Sequence, residues 1–136
     1  MVNPLGLIAA LTAFFSIWFG HVAVRKVEFT SPSLWIPSSI FALLGIICEW
    51  LSLNARSLQL ATIFGILGMT LLFDGFELTR QQKRIIRGHA PANPDNARHA
   101  KILKGSASAT TVDLLKREPM GFSFTTVQPD SRFVEK

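Results

Sequence analysis

Four ionisable side chains interrupt stretches that are otherwise apolar: His21, Glu49, Asp74 and Glu77. A charge placed within a membrane is costly, so each invites a role as proton carrier, ion site or buried contact. His21, Asp74 and Glu77 fall at the same end of their stretches and Glu49 at the opposite one, so a pairing of His21 with Asp74 or Glu77 is expected. Glu49 and Asp74 lie too far apart to act as an acid–base pair. All four are read as intramembrane polar contacts at the ends of spans, in preference to a proton relay.

His21, after Trp18-Phe19-Gly20, is the one residue whose type would suit a haem or chlorin. A single histidine cannot build a bis-histidine site within the chain, and His89 and His99 lie well beyond the apolar stretches. Ile17 also occupies the place where light-harvesting helices carry alanine. No cofactor is therefore expected, although bound lipid is compatible with every stretch. Catalytic constellations fail by inventory, since the chain has no phosphate-binding loop, nucleophile elbow, His-Glu-x-x-His or Cys-His pairing. No enzymatic activity, metal site or small-molecule substrate is expected. Cys48, the only cysteine, excludes an intramolecular disulfide and is read as a small apolar side chain.

The elements that carry these residues follow from charge and hydropathy. Hydrophobic residues make up 49% of the 136-residue chain and charged ones only 17%, and the charges are unevenly placed. Eleven of the fourteen Lys and Arg residues lie from Arg80 onward, and only Arg25, Lys26 and Arg56 precede them. Such a split describes a membrane anchor followed by a basic tail and argues against a nucleic-acid surface. Three apolar stretches, Leu5 to Val24, Leu34 to Leu53 and Leu58 to Phe76, are each about long enough to cross a hydrocarbon core. All three are apolar all round, which excludes a soluble amphipathic bundle. The first lacks the basic flank and cleavage pattern of a signal peptide, so it is expected to be retained. Ala61, Gly65, Gly68 and Gly45 mark thin points where helices approach one another.

The expected fold is an all-α membrane protein with three transmembrane helices, a cytoplasmic helical extension and an irregular C-terminal tail. Residues 1–88 form the membrane unit and 89–136 the tail. By the positive-inside rule, Arg25 and Lys26 of the first loop share the cytoplasmic side with Arg80, Lys83, Arg84 and Arg87, leaving the N-terminus outside. The third helix is expected to run on through Glu77-Leu78-Thr79-Arg80 to Arg87, with those basic residues against anionic headgroups or a partner. Gly88 to Asn96 then reads as an irregular turn. Beyond it, a short helix is expected from Thr111 to Arg117 or Glu118 and an extended stretch at Phe122, Phe124 and Thr126. The tail as a whole is expected to stay irregular or to lie on a partner.

Gly20-His21, Val24 and Glu28, followed by Glu77-Leu78, Gln81, Arg84, Gly88, Pro91, Asn93 and Pro94, make a pattern. It resembles the small bacterial membrane-protein family known as domain of unknown function 4491, over roughly Pro4 to Asn96. The chain departs from that pattern at Ala90, where an aromatic is expected, and in the segment from Ala97. The resemblance implies three spans and a bacterial inner membrane, and no mechanism. The expected function is a small accessory or structural subunit of a larger inner-membrane complex, respiratory or photosynthetic, contacting lipids and other membrane subunits. Two alternatives are carried: a small oligomeric transporter or ion or proton channel, and an anchor whose basic tail binds a cytoplasmic partner or anionic lipid. The spans are free of charge between their ends, which weighs against transport.

Overall fold

The computed structural model describes residues 3–113. Four helices are present among them and no strand: α1 (Leu5–Thr30), α2 (Trp35–Asn54), α3 (Leu58–Ile86) and α4 (Ala97–Gly105). The first three are long and apolar enough to cross a membrane. The all-α membrane architecture expected from the sequence is the one observed.

The boundaries have local causes. No helix breaker intervenes between Val24 and Pro32, so α1 does not stop where its apolar stretch does. It carries Arg25, Lys26 and Glu28 on its last two turns and ends at Thr30, since the residue before a proline disfavours helix. Arg25 and Lys26 are therefore helical, in contrast to the loop position expected for them, and the connection shrinks to residues 31–34. Pro37 falls in the first turn of α2, where a missing N–H costs nothing. Ser57 opens α3 by accepting from the Leu60 N–H at 3.3 Å. The third helix runs unbroken past Phe76 to Ile86, as its uninterrupted sequence predicts.

At 26 and 29 residues, α1 and α3 are about 39 and 44 Å long, against a hydrocarbon core of about 30 Å. Both overshoot at the same end, because α2 returns the chain between them. The third helix is central: α1 and α2 each pack along it and scarcely touch one another. On α1 the buried positions are Gly20, Val24 and Glu28, and on α3 they are Gly68, Asp74, Gly75, Leu78, Gln81 and Ile85. Spacings of four put the α1 set on one helix face, and on α3 Asp74, Leu78, Gln81 and Ile85 recur at three and four, while Gly68 and Gly75 meet α2. The thin points anticipated in the sequence are real contacts, with Gly45 set against the Gly68 carbonyl and Leu72, and Gly65 against Ser52. Ser52 Oγ donates to the Ala61 carbonyl at 2.8 Å, tying α2 to α3 near their shared turn.

The chain beyond Arg87 differs most from expectation. Residues 97–105 form a helix, and the segment from Gly88 to Thr110 folds back on its own chain. Thr111 to Asp113 are not helical. The remainder of the helix expected there, and the extended stretch at Phe122, Phe124 and Thr126, lie outside the described residues.

Candidate functional site

The densest polar site is built where α1 ends. A helix terminus leaves its last carbonyls without intrahelical partners, and here they are met by side chains from 64 to 70 residues further on. The connection starts at Gly88, whose φ of +73° places it in the left-handed region. His89 N–H donates to the Arg84 carbonyl at 2.8 Å and Gly88 N–H to that of Ile85 at 2.9 Å, the paired bonds that close a helix over a left-handed glycine. A Cβ at Gly88 would run into the Ser108 carbonyl. The chain then turns through Asn93, whose Oδ1 accepts from the Asp95 N–H at 3.0 Å. Asn96 Oδ1 caps α4 by accepting from the Arg98 N–H at 3.0 Å.

The same two asparagines cap α1. Asn96 Nδ2 donates to the carbonyls of Phe29 at 3.1 Å and Ser31 at 3.0 Å, and Asn93 Nδ2 to Phe29 at 3.2 Å. Beneath them Glu28 is buried, only 1% exposed. Its Oε1 accepts from Arg98 Nη1 at 2.8 Å and bonds His99 Nε2 at 3.1 Å. His99, fully enclosed, accepts the Asn93 N–H on Nδ1 at 2.9 Å. That backbone donor requires a bare Nδ1, so the imidazole is neutral and its Nε2–H donates to Glu28. Arg98 alone supplies the positive charge facing Glu28. A small apolar cluster of Ile85, Ala90 and Ala92, flanked by Ile102 and Leu103, packs α4 against the end of α3. Ala90 is buried in it at the position where an aromatic was expected.

The residues singled out within the spans are arranged differently. Asp74 is buried against α1, but it meets Gly20 and not the expected His21: a Cβ at Gly20 would collide with the Asp74 carboxyl group. His21 is exposed and forms no ion pair with Asp74 or Glu77, although both lie within electrostatic reach of Asp74. Glu77 pairs instead with Arg80 at 3.5 Å on its own helix. Glu49 lies over Gly68 between α2 and α3, and its Oε1 is buried without a hydrogen-bond partner. Arg80, Lys83 and Arg84 of α3, with Arg87 at its cap, line a depression of about 450 Å³ together with Phe76 and Glu77. Arg25 and Lys26 are exposed on α1. Among the described residues no group of His, Cys, Asp and Glu is placed to hold a metal ion.

Sequence reasoning therefore named the span residues and the basic face but missed the Glu28, Asn96, Arg98 and His99 cluster. One signal was available: two asparagines and a proline-rich turn placed after a long helix whose neighbour ends in bare carbonyls. The pattern residues now have physical roles. Gly20, Val24 and Glu28 form the buried face of α1, Leu78 and Gln81 belong to that of α3, and Gly88 and Asn93 fold the chain back across both.

No curated protein and no solved structure matches the chain. A family model does, over residues 3–96, which includes all three long helices and the turn up to Asn96. The chain belongs to the family described as Domain of unknown function (DUF4491).

Proposed function

We propose that this chain is a small structural subunit of a larger bacterial inner-membrane complex, with no catalysis of its own. Its N-terminus faces outward and the ends of α1 and α3, with α4, face the cytoplasm, since Arg25, Lys26, Arg80, Lys83, Arg84 and Arg87 gather there. The observation that carries this reading is the thinness of the membrane unit. With α1 and α2 both hung on α3, only 17% of the span is buried in α1, 6% in α2 and 17% in α3. Nearly all the remaining side chains require lipid or another subunit against them. The segment fastened across the end of α1 supplies a rigid basic shelf for such a neighbour or for anionic headgroups.

Mild solubilisation through an affinity tag, followed by native mass measurement, tests the proposal. A stoichiometric set of co-purifying membrane subunits supports it. A homo-oligomer that carries protons across liposomes, with flux lost in Glu49→Gln or Asp74→Asn, would replace it with the transporter reading. That second reading draws on one observation: both carboxyl groups lie between helices without a hydrogen-bond partner among the described residues.

A further inference from the structure

Because α1 and α2 do not close on one another, a cleft of about 330 Å³ opens between them over α3, within the size range of small-ligand sites. Its α1 wall runs from Thr12 to Ala23, about 16 Å along the helix axis. Phe15, Phe19 and Leu71 make it largely apolar, and Asp74 stands near the basic end. Asp74 is only 7% exposed and has no hydrogen-bond partner among the described residues. A buried polar group without one is costly, so it points to something that completes it.

The other polar groups on the wall say what that would be. Ser16 Oγ donates to the Thr12 carbonyl at 2.7 Å, and Thr70 Oγ1 to the Ile66 carbonyl at 2.8 Å. Each hydroxyl has a single hydrogen, directed in these bonds to its own helix, and the two oxygens lie 3.4 Å apart, where either could instead donate to the other. An ionised Asp74 offers acceptors only, with His21 and Glu77, of opposite sign, within its electrostatic reach. Apolar walls with an unpaired carboxyl group at one end complement an apolar chain ending in several donors and a positive charge. We propose that this cleft binds a long-chain primary ammonium amphiphile. Its ammonium sits on Asp74 with Thr70 one turn away, and its tail descends past Ser16 and Phe15. The site is independent of the subunit role proposed above and would exist in the isolated chain.

The experiment is a titration of the full chain in phosphatidylcholine nanodiscs with dodecylamine, dodecanol and dodecane, read by native mass measurement. The expected result is one saturable dodecylammonium per chain, with dodecanol weaker by about tenfold or more, the worth of a hydrogen bond to a charged group. Asp74→Asn should weaken the amine by a similar factor and leave dodecanol unchanged. Ala23→Leu, which fills the cleft and leaves every charge in place, should abolish binding of the amine and serves if Asp74→Asn does not fold. Equal binding of amine and alcohol, an unaffected Asp74→Asn, or a dimer of the chain that excludes the amine would overturn the proposal.

Discussion

Two places on the same helix, two turns apart, are held to the rest of the chain in opposite ways. At Glu28 a buried carboxylate meets Arg98 and His99, and the carbonyls just beyond it are capped by two asparagines. At Gly20 another buried carboxyl, that of Asp74, presses on a glycine and has no hydrogen bond among the described residues. The first contact is made of directional polar bonds at the membrane's edge, the second of close approach alone inside it. In lipid, helices associate by packing of small residues, and water cannot satisfy what packing leaves open. Outside it, a charge can be buried only if its partners are built around it. Each site follows the rule of its own medium.

The contrast can be broken first at its strong end. Arg98→Ala leaves Glu28 with one neutral partner, and stranding a buried charge costs about 3–5 kcal/mol. The expected outcome is release of α4 so that Glu28 reaches water, seen as lost amide-exchange protection over residues 97–105 with α2 unaffected. Retained protection would show that the asparagine caps suffice without the ion pair. Gly88→Ala should cost about 1–2 kcal/mol for the left-handed backbone, and more if the Ser108 carbonyl cannot yield. Thermal unfolding of the purified chain reports it, and an unchanged midpoint would contradict the geometry.

At the weak end, Gly20→Ala forces a methyl into the Asp74 carboxyl and should destabilise by about 1–3 kcal/mol. Combining it with Asp74→Ala should recover part of that loss, because the two positions share one contact. Strict additivity would mean they do not touch. The smallest effect is expected at Ser52→Ala, about 0.6 kcal/mol for one interhelical hydrogen bond in a membrane. A larger loss there, in the same unfolding assay, would show that the spans depend on polar bonds after all.

The parts of this fold legible in the sequence were those set by local composition. Three charge-free stretches of the right length define three spans, and unbroken helical sequence carries α3 to Ile86. The end of α1 was placed too early because hydropathy falls at Arg25 while helix propensity does not, and only Pro32 stops it. The basic face and the polar span residues were visible as residue types, but the choice of Gly20 over His21 as the neighbour of Asp74 depends on how α1 is rotated against α3. The Glu28 cluster was out of reach for a different reason. Its members lie 70 or 71 positions apart, and a carboxylate, an arginine and a histidine in polar surroundings carry no local mark of burial.

The fold-back of residues 88–99 has a mechanical consequence. It leaves α3, crosses the gap and fastens to the last turn of α1, so those two helices are stapled at one end and pressed together by Gly20 and Asp74 further in. The second helix is held differently, by close packing on α3 at Gly45, Gly65 and Gly75 and by the Ser52 bond to the Ala61 carbonyl near the opposite turn. The molecule is thus two helix pairs sharing α3, one stapled at the basic end and the other tied near the opposite turn, and whatever widens the cleft must loosen one of the two.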